Sequence, residues 1–112
     1  MMDMKYEAIF CIVNAGFSDV VMDAARKAGA GGGTILKGRG TAGREAEEQF
    51  HIRIQPEKEL ILLLVPAEIK DKVLRALYDA VGLDSAGQGI AFSLPVERIV
   101  GLNKPKEKTE ES

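Results

Sequence analysis

Two segments that are apolar on both faces constrain the fold of this chain most. The first, Tyr6 to Val13, reads Y-E-A-I-F-C-I-V, and the second, Glu59 to Val65, reads E-L-I-L-L-L-V. A strand with one solvated face alternates apolar and polar residues, whereas a strand covered on both faces is apolar almost throughout. Both segments are therefore predicted to be central strands of a sheet.

Each of these two segments is followed by a segment with the periodicity of an amphipathic helix. The first helix is predicted to begin at Ser18, a good N-cap residue, and to end before Gly29, a natural C-terminal glycine. The second helix is predicted over Ala67 to Val81, where apolar side chains form one stripe and charged side chains face water. Each helix is expected to pack its apolar stripe on the sheet.

Two further strands complete the pattern. They are predicted over Gly33 to Arg39 and over Ile90 to Leu94, with Pro95 interrupting the second of them at an edge or a bulge. The order βαββαβ predicts an α+β, ferredoxin-like sandwich: a four-stranded antiparallel sheet with two helices on one face. Because the strands are apolar on the other face too, that face is expected to pack against further copies of the chain. A closed trimer is the predicted assembly.

Length and composition limit the classes of function. A length of 112 residues predicts one domain, spanning 1–103. The charged residues 104–112 are predicted to be a disordered tail. A formal net charge of −2 gives no support to nucleic-acid binding. The longest apolar run, 60–66, is too short to cross a bilayer. The first residues, Met1-Met2-Asp3-Met4, lack the basic and apolar regions of a signal peptide, so none is expected. The single cysteine, Cys11, has apolar neighbours and is predicted to be a buried thiol in a cytoplasmic protein.

Glycine is concentrated in two stretches. Seven of the twelve glycines lie between Gly29 and Gly43, and a second glycine-containing loop spans Leu83 to Gly89. Glycine lets another backbone or a ligand come close, and successive backbone N–H groups in such bends bind anions. The alternative is simply a helix C-cap followed by a flexible turn.

Three segments, in this order and spacing, resemble the PII signal-transduction proteins and their PII-like relatives. They are T-I-L-K-G-R-G from Thr34, L-L-V-P-A-E-I-K-D-K-V from Leu63 and G-Q-G-I-A-F-S-L-P-V-E-R-I-V from Gly87, in which Arg98 falls on an arginine of the family. The resemblance covers roughly residues 8–102. It implies a ring of three ferredoxin-like subunits with adenine nucleotides in the clefts between them. It also implies a T-loop, here 41–55, that docks on transporters or enzymes.

Matched by position, the resemblance implies a nucleotide-binding cleft and a docking loop. The cleft would be lined by Gly38, Arg39, Gly40, Lys58, Gly87, Gln88 and Gly89, with Leu64 for the adenine base. The docking loop would present Arg44, Glu47, Glu48 and Phe50 to a partner such as a membrane transporter. In this arrangement the glycine amides hold phosphate oxygens and Lys58 supplies positive charge.

The chain departs from the family at several charged positions. Ile90 and Gln88 stand where the family has a lysine and an aspartate, and Gly101 and Asn103 stand where it has arginines. Leu62 replaces its glutamate. Each lost cation removes a contact of roughly 1.5–3 kcal/mol. AMP or ADP, rather than ATP, is therefore the predicted adenine nucleotide, and a cyclic nucleotide or another small anion fits the remaining charge as well.

Two other classes of protein share this architecture and stay open. A metal-binding trimer like the CutA proteins would use His51, Cys11 or the loop carboxylates, although one histidine gives no metal-ligand spacing and no metal site is predicted. A ligand-sensing or assembly module like the ACT domains would form dimers. An enzyme is not predicted, because neither Ser18 nor Ser85 has a histidine at readable range.

Overall fold

The computed structural model describes residues 5–41, 48–49 and 56–102. The strands are β1 (Tyr6–Asn14), β2 (Gly33–Arg39), β3 (Glu57–Pro66) and β4 (Ile90–Val96), and the helices are α1 (Ser18–Lys27) and α2 (Lys70–Val81). The sheet has the order β2-β3-β1-β4, with every neighbouring pair antiparallel. The predicted ferredoxin-like arrangement is confirmed.

The two segments that are apolar on both faces form the centre of the sheet, as predicted. β1 pairs with β3 along its whole length, from Tyr6 opposite Pro66 to Asn14 opposite Lys58. Its other side pairs with β4, from Tyr6 opposite Val96 up to Ile12. β2 pairs only with β3, so that β2 and β4 are the two edges of the sheet.

The hydrophobic core lies between one face of the sheet and the two helices. Because side chains alternate along a strand, the odd-numbered residues of β1 and β3 point toward the helices. Those core residues, fully buried, are Ile9, Cys11, Val13, Ile61, Leu63 and Val65. They pack against Val21 and Ala25 of α1 and against Val73 and Leu77 of α2, which are also buried. Each large apolar side chain buried here contributes roughly 1.5–3 kcal/mol.

The opposite face of the sheet, which we call the open face, is apolar and exposed. It carries the even-numbered residues of the strands, and the rings of Phe10 and Phe92 stack there with centroids 5.3 Å apart. Leu64, Phe92 and Leu94 expose 41%, 44% and 51% of their surface. An apolar surface of this extent is unusual for an isolated domain. Packing of this face against other copies stays a prediction.

Several element ends differ from the sequence prediction, among them those of α1, α2 and β4. Ser18 is the first residue of α1 and not its cap, and Phe17 at the cap position makes no side-chain hydrogen bond to the helix. The segment before α2, Ala67–Ile69, is a 3-10 turn and not α-helix. β4 continues through Pro95 to Val96, which is possible because an edge strand does not need every N–H group.

Several predictions lie outside the described residues or are untested. Of the loop 41–55, only Thr41 and the helical residues 48–49 are described. Residues 50–55, whose alternating pattern predicts a short strand or an extended arm, lie outside. The tail 104–112 and the domain boundary at 103 also lie outside. Residues 97–102 are described and form no strand, so β4 ends at Val96.

Candidate functional site

One end of the sheet brings the predicted glycine segments into a single row. Gly38 of β2 lies opposite Lys58 of β3, and Lys58 lies opposite Asn14 of β1. The loop that precedes β4 reaches the same end, since the backbone N–H of Asn14 donates to the carbonyl oxygen of Gly87 at 2.9 Å. The row therefore runs across the sheet end from the β2 edge to the β4 edge. With three strand spacings between the edges, it is about 14 Å wide.

Asn14 and Lys58 form the centre of this row. The Nζ atom of Lys58 donates to Oδ1 of Asn14 at 2.7 Å. The Nδ2 atom of Asn14 donates to the carbonyl oxygen of Ala86 at 3.1 Å and to Oε1 of Gln88 at 3.3 Å. Asn14 is 5% exposed and, among the residues that the structure describes, it is the one polar residue that is buried. A buried amide with three hydrogen bonds is a rigid support for the ammonium group beside it.

Three backbone N–H groups of the loop 85–89 have acceptors within the subunit, and the anion-binding role of its glycines stays a prediction. The N–H of Gly87 donates to Oγ of Ser85 at 3.2 Å, and the N–H of Gln88 donates to the Ser85 carbonyl oxygen at 3.0 Å. The N–H of Gly89 donates to the carbonyl oxygen of Val81. These hydrogen bonds hold the loop together.

Close packing explains the glycine at position 89. A Cβ there would lie 2.5 Å from the carbonyl oxygen of Val81 and 2.9 Å from Cγ1 of Val13. The neighbouring residue, Gln88, has an uncommon backbone conformation, since its φ of 48° lies in the left-handed region. This geometry turns the chain sharply from the end of α2 into β4 and leaves the Gln88 side chain beside Asn14.

The β2 end of the row does leave a backbone donor facing outward. The N–H of Gly40 donates to the carbonyl oxygen of Pro56 at 2.7 Å. In an antiparallel pair, hydrogen-bonded residues alternate with residues whose N–H points away from the partner strand. The N–H of Arg39 therefore points outward from the β2 edge. Gly40 itself is tightly packed, since a Cβ there would lie 2.9 Å from Cε of Lys58.

The strand register separates two basic residues that were predicted to share one cleft. Arg39 lies opposite Glu57 and belongs to the helix face of the sheet, whereas Lys58 belongs to the open face. Among the strand residues of the open face, Lys58 is the one with a charged side chain. Leu64 is also on the open face, but six residues, or roughly 20 Å, along β3 from Lys58. Leu64 does not join the row at the sheet end.

The other predicted residues are placed as follows. Glu48 is exposed, and Arg44, Glu47 and Phe50 lie outside the described residues. Arg98 follows β4 at the far end of the sheet from Lys58 and is exposed. His51 also lies outside the described residues.

A metal site is not formed by the part of the chain that the structure describes. There, no group of three or more histidine, cysteine, aspartate or glutamate residues comes together. Burial raises the pKa of the Cys11 thiol to about 11. A thiol binds metals as the thiolate, so Cys11 is a poor ligand near neutral pH.

Within the described ranges, no helix is long and apolar enough to span a membrane.

Asn14 is the residue of this row that sequence reasoning missed. The sequence pattern predicts that the first strand breaks at this asparagine, but the strand includes it. The available signal was that a polar residue at the end of a central strand must find hydrogen-bond partners if it is buried. Its partners come from residues 58 and 86–88, which are distant in sequence.

Comparisons with known proteins identify the fold. No family model matches the sequence, and no curated protein matches it at a significant level. A proposed PII-like signalling protein of Thermus thermophilus superposes with a TM-score of 0.63 and 19% identity, covering 85% of this chain and 90% of that one. Arabidopsis thaliana PII bound to citrate gives 0.62 and 22% identity, over 84% and 77%.

A third solved structure is that of a nucleotide-bound protein. CPII of Thiomonas intermedia, bound to ADP, AMP and acetate, superposes with a TM-score of 0.61 and 18% identity, covering 85% of this chain and 91% of that one. These identities are low, but the covered shares are large in both directions. The resemblance detected in the sequence is thereby confirmed at the level of the fold: this chain has the fold of the PII-like signalling proteins.

Proposed function

We propose that this protein is a non-enzymatic PII-like regulator. In this proposal, a homotrimer binds a small anionic effector between its subunits, and the effector sets the conformation of the loop 41–55. That loop, with Arg44, Glu47, Glu48 and Phe50, controls a partner such as a membrane transporter. Because effector and partner act on one conformational equilibrium, each changes the affinity of the other by the same factor.

The observation that carries this proposal is the position of Lys58. It is the charged side chain of the open face, and it lies at the sheet end where Gly40 leads into the loop 41–55. An anion held by its ammonium group would therefore contact the base of the loop. The charge of Lys58 supports an anion rather than a neutral effector.

The amount of fixed charge supports an effector of low charge. One lysine on the open face, with an outward N–H from Arg39 at the edge, matches a monophosphate or diphosphate better than a triphosphate. The bound ADP and AMP of the Thiomonas protein support an adenine nucleotide of this size. AMP is accordingly the preferred effector in the proposal, followed by ADP.

Assembly is needed because the two halves of the row lie at opposite edges of one sheet. The β2 edge of one subunit and the β4 edge of its neighbour would meet if the open faces packed around a common axis. A head-to-tail contact of this kind closes into a ring. The exposed apolar side chains of the open face, including Phe92 and Leu94, supply the surface that such a ring buries.

Calorimetry with purified trimer tests the proposal. We expect binding of AMP and ADP to exceed that of ATP, cyclic nucleotides and bicarbonate. Lys58→Met should weaken AMP binding by about tenfold or more, since a hydrogen bond to a charged group contributes about 1.5–3 kcal/mol. Lys72→Met, which removes an exposed lysine from α2, is the matched control and should bind like the wild type.

Contrary outcomes are equally specific. If a confirmed trimer binds none of these ligands, the effector part of the proposal is wrong. Bound copper or zinc in the purified protein would favour the CutA-like alternative. A dimer in light scattering would favour a module like the ACT domains.

A further inference from the structure

We infer that Asn14 is the positioning residue of the Lys58 anion site and that it couples Lys58 to the loop 85–89. The identification of Lys58 as the anion contact rests on the function proposed above. The coupling between Lys58 and the loop does not, because it follows from hydrogen bonds within one subunit.

The hydrogen bonds of Asn14 fix which way its amide faces. Its Nδ2 donates to two acceptors in the loop, the Ala86 carbonyl oxygen and Oε1 of Gln88. The Oδ1 atom is therefore left facing Lys58 and accepts from its ammonium group at 2.7 Å. A rotated amide would place an NH₂ group against the ammonium and a carbonyl oxygen against two acceptors. The acceptor presented to Lys58 is thus set by the loop.

This arrangement also fixes the ammonium group. A lysine side chain has four rotatable bonds and is ordinarily mobile, but the stem of Lys58 lies under Gly40 and its end is held by Asn14. An ammonium group can donate three hydrogen bonds. Asn14 accepts one of them, which leaves two for an anion. Holding the group in place before binding lowers the entropy lost on binding.

The same contacts connect the two edges of the sheet. They run from Gly40 through Lys58 and Asn14 to Gln88 and so join the start of the loop 41–55 to the loop before β4. A change in the position of the Lys58 ammonium group therefore changes the hydrogen bond that Oδ1 of Asn14 accepts. Through Asn14, this change reaches the loop 85–89.

The coupling is tested without ligand by amide hydrogen exchange. In Lys58→Met, we expect the amides of Gly87, Gln88 and Gly89 to exchange about tenfold faster than in the wild type, because Oδ1 of Asn14 loses its charged donor. Lys72→Met should leave these rates unchanged. Wild-type exchange rates in Lys58→Met would overturn the coupling. This variant changes a half-buried surface lysine, so the test does not depend on substituting the buried asparagine.

The positioning role is tested with AMP as the probe. Asn14→Ala should weaken AMP binding several-fold, and Asn14→Ser serves the same purpose if the alanine variant does not fold. Asn14→Asp should weaken it at least as much as Lys58→Met does, since a carboxylate beside the ammonium group competes with the anion. A uniformly destabilising change would not produce this order.

The outcomes separate the two proposals. If Lys58→Met abolishes AMP binding while the Asn14 variants bind like the wild type, the positioning role is wrong and the proposed function stands. If the wild type binds neither AMP nor inorganic phosphate, the proposed function and the positioning role both fail. The exchange rates in Lys58→Met then decide the coupling alone.

Discussion

Gly33 lies so close to Leu63 that a Cβ atom at position 33 would come within 2.7 Å of Leu63 Cδ2. The two residues are cross-strand partners in β2 and β3. The same Cβ would lie 3.1 Å from the Sδ atom of Met22 in α1. The first residue of β2 is therefore a glycine because helix and sheet meet there without space for a side chain.

Replacing Gly33 should lower stability. We expect Gly33→Ala to reduce the free energy of unfolding by about 1–3 kcal/mol through overpacking. Gly31→Ala is the control, because a Cβ at position 31 meets nothing within 4 Å. Urea unfolding at one fixed protein concentration measures both variants. Equal midpoints for the two would show that the close approach is relieved without cost.

Replacing Gly40 should affect ligand binding more than stability. A Cβ at position 40 would lie 2.9 Å from Cε of Lys58, and a flexible side chain can move away from it. We expect Gly40→Ala to displace the ammonium group and to weaken AMP binding roughly tenfold, the loss of one charge-assisted contact. Gly31→Ala, which lies outside the row and whose Cβ has nothing within 4 Å, is the calorimetric control. Identical affinities in the two variants would contradict this prediction.

A charge on the open face should prevent the proposed assembly. Phe92 stacks on Phe10 and is 44% exposed, so a carboxylate in its place would be buried in any contact between open faces. We expect Phe92→Glu to give monomers in light scattering, since burying an unpaired charge costs several kcal/mol. Val20→Glu, on the outer surface of α1 at 42% exposure, should keep the wild-type mass. An unchanged mass for Phe92→Glu would exclude the open face as the interface.

The Cys11 thiol should make stability fall at high pH. Its pKa is about 11 in the folded protein, above the ordinary value of 9.0, because burial disfavours the thiolate. Between these values the unfolded chain releases the proton and the folded chain keeps it. The resulting stabilisation is complete below pH 9 and is lost as the pH rises toward 11. We expect the wild type to lose about 1.4 kcal/mol per pH unit relative to Cys11→Ala in this window.

Urea unfolding of both proteins at several pH values across this window measures that difference. All other side chains are common to both proteins, so their contributions cancel in the comparison. Parallel pH profiles for the wild type and Cys11→Ala would mean that the thiol is not shielded from water.

The order and type of the elements could be predicted because they depend on local patterns. The apolar run 59–65 and the apolar stripe of α2 indicate which side chains are buried, because apolar residues recur with the period of the element. Element ends were less accurate. The 3-10 turn at Ala67–Ile69 and the passage of β4 through Pro95 depend on tertiary packing, which a local pattern does not contain.

The candidate site could be predicted only in part. The sequence indicated Lys58 and the two glycine segments, and the strand register brings these to one sheet end. The hydrogen bonds of the loop 85–89 could not be foreseen, because its acceptors include the side chain of Ser85 and the carbonyl of Val81. For the same reason, the sequence did not indicate Asn14, because its hydrogen-bond partners lie far along the chain.

The placement of β1 has a consequence for how the chain folds during synthesis. β1 emerges from the ribosome first, yet its two neighbours, β3 and β4, are made about 50 and 80 residues later. Until residue 96 has emerged, this central and largely apolar strand has an unpaired edge and an uncovered surface. Nascent chains shorter than this should therefore be the species that chaperones bind, and a pause in translation before β4 would lengthen that exposure.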